Sequence, residues 1–176
     1  MKIRRIVLLA MFTALMAVMS LIQIPVYPIV FTLQTFMVIL IALIFKPLDT
    51  FLIVFTYLVI GLIGIPVFSS GGGFQAFVSP TGGFLIGLLV SSLLISIFKS
   101  KTKVMLYDLI VIIIFGFVVL YMIGLPVLMM TIGMKFTDAL IAFIPYYLWD
   151  FLKIIVAYAV YRALPEDLLK KIETSN

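Results

Sequence analysis

The sequence predicts an all-α integral membrane protein, a bundle of six transmembrane helices with both termini in the cytoplasm. Three observations predict it. The chain is 65% hydrophobic and only 11% charged, where a soluble domain is near half apolar and a quarter charged. Its apolar runs are many, and several approach the ~20 residues that a helix needs to cross a bilayer. Its positive charges also fall on one side of the resulting topology.

Six spans follow in order, at about 5–23, 33–46, 48–64, 81–98, 104–124 and 143–163, within a single membrane domain over 1–176. The first begins after Arg4 and Arg5 and could be mistaken for a secretory signal. No small-residue cleavage site leads into a soluble sequence, so it reads as a retained span. The second and third are separated only by Lys46-Pro47-Leu48-Asp49. Proline removes a backbone donor there, and a tight hairpin is expected. The fourth opens with Pro80-Thr81-Gly82-Gly83-Phe84. Proline suits a first helical turn, and the glycines let neighbouring helices approach closely.

With the N-terminus inside, Lys2, Arg4, Arg5, Lys46, Lys99, Lys101, Lys103, Arg162, Lys170 and Lys171 share the inner side, and only Lys135 lies outside. Ten of the twelve positive charges on one side is the positive-inside pattern of a multi-pass cell-membrane protein. It explains the net charge of +5 without nucleic acid. Two outer loops, about 24–32 and 65–80, carry no charge and are rich in aromatic residues, proline and glycine. Loops facing water are normally polar, so these two are expected to fold back over the bundle and close a cavity.

Lys153 is the exception to the charge pattern. It stands with Asp150 inside the sixth span, three residues apart and therefore on one helix face. Either charge at the centre of a spanning helix costs about 2.5–3.5 kcal/mol on insertion scales, so such residues mark function or a neutralising pair. Lys153 is too deep to reach the interface easily by snorkelling. Gln34, at the start of the second span, is an amide that needs partners or faces the same cavity. Tyr146, Tyr147 and Trp149 add aromatic faces at the outer edge.

The run Ser69-Ser70-Gly71-Gly72-Gly73-Phe74 lacks the following lysine of a phosphate loop and lies on the outer side. It serves either as a flexible tether or as backbone that lets a ligand come close, with Phe74 and Phe77 as flat surfaces. Ala10 and Ala14, with Ala17 beyond, form a small-residue face on the first span. That face packs within the bundle or docks a partner membrane protein. Cysteine and histidine are absent, which removes thiol nucleophiles, the common zinc sites and the commonest general base. No serine lies beside Lys153 on its helix to make a Ser–Lys hydrolase. No catalytic residue, metal or cofactor is expected. What remains is an apolar pocket with a few placed polar groups. There Lys153 can pair with a ligand carboxylate, and Asp150 can accept N–H bonds.

These residues carry a family resemblance. Phe31-Thr32-Leu33-Gln34-Thr35, Pro66-Val67-Phe68-Ser69, Gly71-Gly72-Gly73-Phe74 and Pro80-Thr81-Gly82-Gly83-Phe84 resemble the BioY family over nearly the whole chain. BioY proteins are the biotin-binding S components of energy-coupling-factor (ECF) transporters. The resemblance implies capture of biotin at the outer face. It also implies delivery with a module of one transmembrane T subunit and two ATPase subunits, which spend the ATP. Ala10 and Ala14 match the small-residue motif that docks on the T subunit. The ligand set it implies is Asp150, Lys153, Gln34, Phe74, Gln75, Thr81, Gly82 and Tyr147. Three departures are visible. Ser70 and Ser79 stand where the family often has glycine, and Leu85-Ile86 stand where some relatives carry a basic residue. Lys153 is then the cation expected for the biotin carboxylate. The alternatives are an S component for another vitamin, a membrane-embedded enzyme using Asp150 and Lys153, and a purely structural subunit.

Overall fold

The computed structural model describes residues 3–25, 30–100 and 102–173. Residues 26–29 of the first outer loop, and Lys2 and Lys101 of the inner charge set, lie outside the described residues. The chain runs α1 (Ile3–Leu21), β1 (Gln23–Ile24), β2 (Phe31–Thr32), α2 (Gln34–Ile44), α3 (Pro47–Leu62), α4 (Phe74–Val78) and α5 (Gly82–Phe98). It continues with α6 (Met105–Val111), a π-helical segment (Ile112–Val119), α7 (Leu120–Ile132), α8 (Phe136–Ala142), α9 (Ile144–Ala163) and α10 (Glu166–Glu173).

The hairpin at Lys46-Pro47 forms as its sequence dictates. Pro47 takes the first position of α3, where a missing N–H is harmless, and Asp49 lies in the first turn, where the helix dipole favours an anion. The fifth apolar segment is longer than 104–124. It runs without a break from Met105 to Ile132, 28 residues, with Pro126 inside it. Membrane helices tolerate an internal proline of this kind. The run ends at Gly133, whose φ of +68° gives the left-handed cap that glycine adopts freely. The sixth segment is also more than 143–163: α8 precedes α9 and meets it at a 51° bend, with Pro145 in the first turn of α9.

Met105–Ile132 and Ile3–Leu21 are long and apolar enough to cross a membrane, and α8 with α9 would make a third such span if the bent pair is one. Helices α2, α3 and α5 are apolar but shorter. Helix α2 is apolar all round, and Met37 to Phe45 are buried without interruption. Such a helix belongs at the centre, and α1, α5 and α9 surround it. The outside of the bundle exposes large apolar side chains such as Val7, Leu106, Met122, Met130 and Leu148. A soluble protein rarely shows so much, and a lipid-facing surface requires it.

One end of the bundle gathers the charges. Arg5 pairs with Asp49. The Lys99 ammonium donates to the carbonyls of Ala42, Leu43 and Phe45 at 3.0, 2.7 and 2.6 Å, capping the C-terminus of α2. Asp108 accepts from the Ser100 N–H and hydroxyl at 2.7 and 2.9 Å, and Arg162 donates to the Lys103 carbonyl at 3.0 Å. The opposite end, where α1 and α3 finish and α2, α5 and α9 begin, carries the loops and the cavity.

Candidate ligand-binding site

Asp150 and Lys153 lie two to three turns into α9 and are both 7% exposed. Buried charges must be paired and hydrogen-bonded to be tolerated, and these are. The Lys153 ammonium stands 2.7 Å from Asp150 Oδ1. The other carboxylate oxygen accepts a hydrogen bond of 2.6 Å from the Tyr121 hydroxyl of α7. Lys153 also sits 3.9 Å above the centroid of the Phe31 ring, a cation–π contact that is stronger when desolvated. Phe31 is placed by a ribbon in which Ile24 pairs with Phe31 and Gln23 with Thr32.

A second polar chain fastens the loop over this end. The Gln34 side-chain amide donates to the Tyr57 hydroxyl at 3.0 Å, and that hydroxyl donates to the Val67 carbonyl at 3.0 Å. The Ser20 hydroxyl of α1 donates to the same carbonyl. Beyond Val67 the chain turns tightly, with Phe68 N–H to Gly71 O at 3.0 Å and Gly71 N–H to Phe68 O at 2.9 Å. Gly71 and Gly73 have φ of +98° and +87°, which L side chains rarely adopt. The Gly73 N–H reaches the Gly61 carbonyl at 2.7 Å. The glycine run is therefore a folded clasp rather than a loose tether. Phe68 fills the space left by Gly61, where a Cβ would fall 1.9 Å from its ring. It meets Tyr57 and Phe77 edge-on at 5.2 and 5.6 Å.

Between these two chains is a cavity of about 70 Å³, room for a few waters. Gln34, Thr81, Asp150 and Lys153 line it together. The remaining expected residues are elsewhere. Phe74 and Gln75 are exposed on α4 and do not line it. Gly82 is buried in the packing of α4 on α5, where a Cβ would sit 1.9 Å from the Phe77 carbonyl oxygen. Tyr147 is half-buried against the other face of Tyr121, ring centroids 5.0 Å apart, and lines an apolar groove on α7 instead. The lining also contains residues that sequence reasoning passed over as site residues: Phe31, Phe68, Ser69, Ser70, Phe84, Tyr121, Phe143 and Tyr146. For Tyr121 a signal existed, since a phenol inside an apolar span needs a hydrogen-bond partner.

Ala10 and Ala14 are exposed, with Ala17 half-buried. They line a groove between α1 and α3 with a volume of about 420 Å³, shared with Thr13, Thr56 and Tyr57.

Comparison with known proteins gives one consistent result. The family described as the BioY family matches residues 1–170. The biotin transporter BioY of Thermotoga maritima is 33% identical over 171 residues, 97% of this chain and 98% of that protein. The biotin transporter BioY2 of Lactococcus lactis subsp. cremoris is 43% identical over 96 residues, 54% of this chain and 53% of that one. The biotin transporter BioY of Rhizobium etli is 30% identical over 176 residues, 93% and 94% of the two chains. Among solved structures, the S-component for biotin from an ECF-type ABC transporter superposes with a TM-score of 0.84 at 26% identity, over 92% of this chain and 90% of that one.

Proposed function

Because the chain belongs to the BioY family, we propose that it is the S component of a biotin transporter, capturing biotin at the outer face of the cell membrane. It transports its ligand and does not transform it. In this reading the six apolar segments all span or enter the bilayer. The charged end with Arg5, Lys99, Lys103 and Arg162 faces the cytoplasm, as the positive-inside rule requires, and the cavity end faces outward. The energy comes from an ECF module of a T subunit and two ATPases. Ala10 and Ala14 on their exposed groove supply the docking face for the T subunit.

The observation that carries the ligand assignment is the Asp150–Lys153 pair, buried at 2.7 Å in the cavity wall. Two groups so close together read one end of a ligand. Lys153 is a donor and Asp150 an acceptor. A cyclic urea presents the complement, a carbonyl oxygen flanked by N–H groups. The ureido ring of biotin fits both, with the carbonyl toward Lys153 and an N–H toward Asp150. This differs from the expectation that Lys153 takes the carboxylate. The carboxylate, at the far end of an apolar tail, then lies toward the hydroxyls of Ser69, Ser70 and Thr81 and the Gln34 amide, which share the cavity.

The purified chain in detergent should bind labelled biotin saturably, with riboflavin and thiamin failing to compete. Lys153→Ala and Asp150→Ala should each weaken that binding at least about 10-fold. Riboflavin or thiamin displacing the label would assign another vitamin, and undiminished binding to both variants would remove the pair from the site.

A further inference from the structure

Tyr57 stands where two surfaces meet. Its side chain is fully buried in α3. On one side its hydroxyl accepts from Gln34 and donates to the Val67 carbonyl, both at 3.0 Å, and its ring abuts Phe68. Gln34 and Phe68 line the ligand cavity. On the other side Tyr57 lines the groove that carries Ala10, Ala14 and Ala17. Ser20 of α1, the helix bearing those alanines, donates to the same Val67 carbonyl. One carbonyl of the loop is thus held by α1 and by α3, the two helices that wall the groove.

We infer that Tyr57 is a positioning residue that couples occupancy of the α1–α3 groove to closure of the 65–73 loop over the ligand cavity. A phenol has one proton to donate, and here it is committed to the Val67 carbonyl. Interiors are close-packed and respond to insertion by shifting neighbours. A side chain pressed into the groove wedges α1 from α3 and moves the Tyr57 hydroxyl, and hydrogen bonds already near 3.0 Å weaken steeply as they lengthen and bend. The effect is reciprocal: a loop closed on ligand holds Tyr57 and so fixes the floor of the groove. The inference deepens the proposed function, since it takes the groove as the partner's seat and the cavity as the ligand's.

The test reads the loop without any ligand. The chain has no cysteine, so Val67→Cys, which keeps the backbone carbonyl, places a sole thiol on a buried residue of the loop outside the cavity lining. Its maleimide labelling rate is measured in the full-length protein with Ala14→Leu filling the groove, with Tyr57→Phe, and with both. Ala14→Leu should speed labelling roughly fivefold, Tyr57→Phe should do the same, and the double variant should be no faster than Tyr57→Phe alone, the signature of coupled residues. A purely structural Tyr57 gives effects that multiply, and that result, or a null effect of either single change, overturns the inference. Should Tyr57→Phe not elute as a folded monodisperse protein, Ser20→Ala replaces it with the same expectations. Biotin release from the same four proteins is measured in parallel. Absent biotin binding with non-multiplying labelling refutes the ligand and leaves the coupling standing, and the reverse pattern refutes only the coupling.

Discussion

Replacing Lys153 by methionine tests the urea reading most directly, because the side chain keeps its length and loses only its donors. Two quantities change. In the unliganded protein, Asp150 keeps the Tyr121 hydrogen bond of 2.6 Å but loses its cation at 2.7 Å. Breaking a buried pair on one side costs about 3–5 kcal/mol. For a chain of this size 1 kcal/mol moves Tm by about 2–4 °C, so the melting temperature should drop by roughly 6–20 °C. The lone tryptophan, Trp149, reports the transition. Adding Asp150→Asn removes the unpaired charge and should recover most of that loss without restoring binding. On the ligand side, a charge-assisted hydrogen bond contributes about 1.5–3 kcal/mol, which at 1.4 kcal/mol per decade is roughly 10- to 150-fold in Kd. Equilibrium dialysis should show that loss equally for biotin and for its neutral carboxamide, because the tail end is untouched. If Lys153→Met weakens biotin strongly but leaves the carboxamide unaffected, Lys153 holds the carboxylate and the urea assignment is refuted.

Two further outcomes follow from individual contacts. Tyr121→Phe removes the second donor on Asp150 while keeping the ring contacts with Phe84 and Tyr147; biotin affinity should fall about 10-fold, and dialysis showing no change would take Tyr121 out of the site. Lys99→Met uncaps the three carbonyls at the C-terminus of α2 and should cost about 1–3 kcal/mol, read as a lower Tm with biotin affinity unchanged, since the residue lies at the far end of the bundle.

What the sequence made legible follows from what costs free energy in a membrane. Asp150 and Lys153 were visible because charge inside an apolar helix demands an explanation, and the structure puts them together in a cavity wall. The turn at Pro47 was visible because proline has no donor. The limits of the fifth segment were not, because an apolar run of 28 residues is longer than one span needs, so hydropathy alone does not say where the helix ends. The aromatic lining was missed for a related reason. Phe31, Phe84, Phe143 and Tyr146 differ from lipid-facing aromatics only in where the fold turns them, which composition cannot reveal. Phe74 and Gln75 looked like loop residues that reach a ligand, but in the loop folded around the left-handed glycines at 71 and 73 it is Phe68, Ser69 and Ser70 that line the cavity.

Phe68, Ser69 and Ser70 of the 65–73 loop line the cavity, so a ligand held there is retained by that loop and its packing. The loop is held on the inner side by Phe68, whose ring occupies the place that any side chain at Gly61 would need. Gly61→Ala builds a Cβ 1.9 Å from that ring, inside van der Waals contact with three of its atoms. Gly61 is helical, so the backbone accepts alanine, which even raises helix propensity by about 1 kcal/mol. The ring must therefore leave, and with it the edge-on contacts to Tyr57 and Phe77, each worth about 0.5–1.5 kcal/mol beyond area burial. The loss of about 1–3 kcal/mol falls on the closed loop, so biotin should dissociate roughly 5- to 150-fold faster, measured by dilution of labelled complex into excess unlabelled biotin. A global fold defect would lower Tm in step with the faster release. Here the gain of about 1 kcal/mol in helix propensity partly offsets the lost contacts, so Tm should fall less than the faster release implies. Unaltered release from a folded Gly61→Ala protein would mean that Phe68 is not what keeps the site shut.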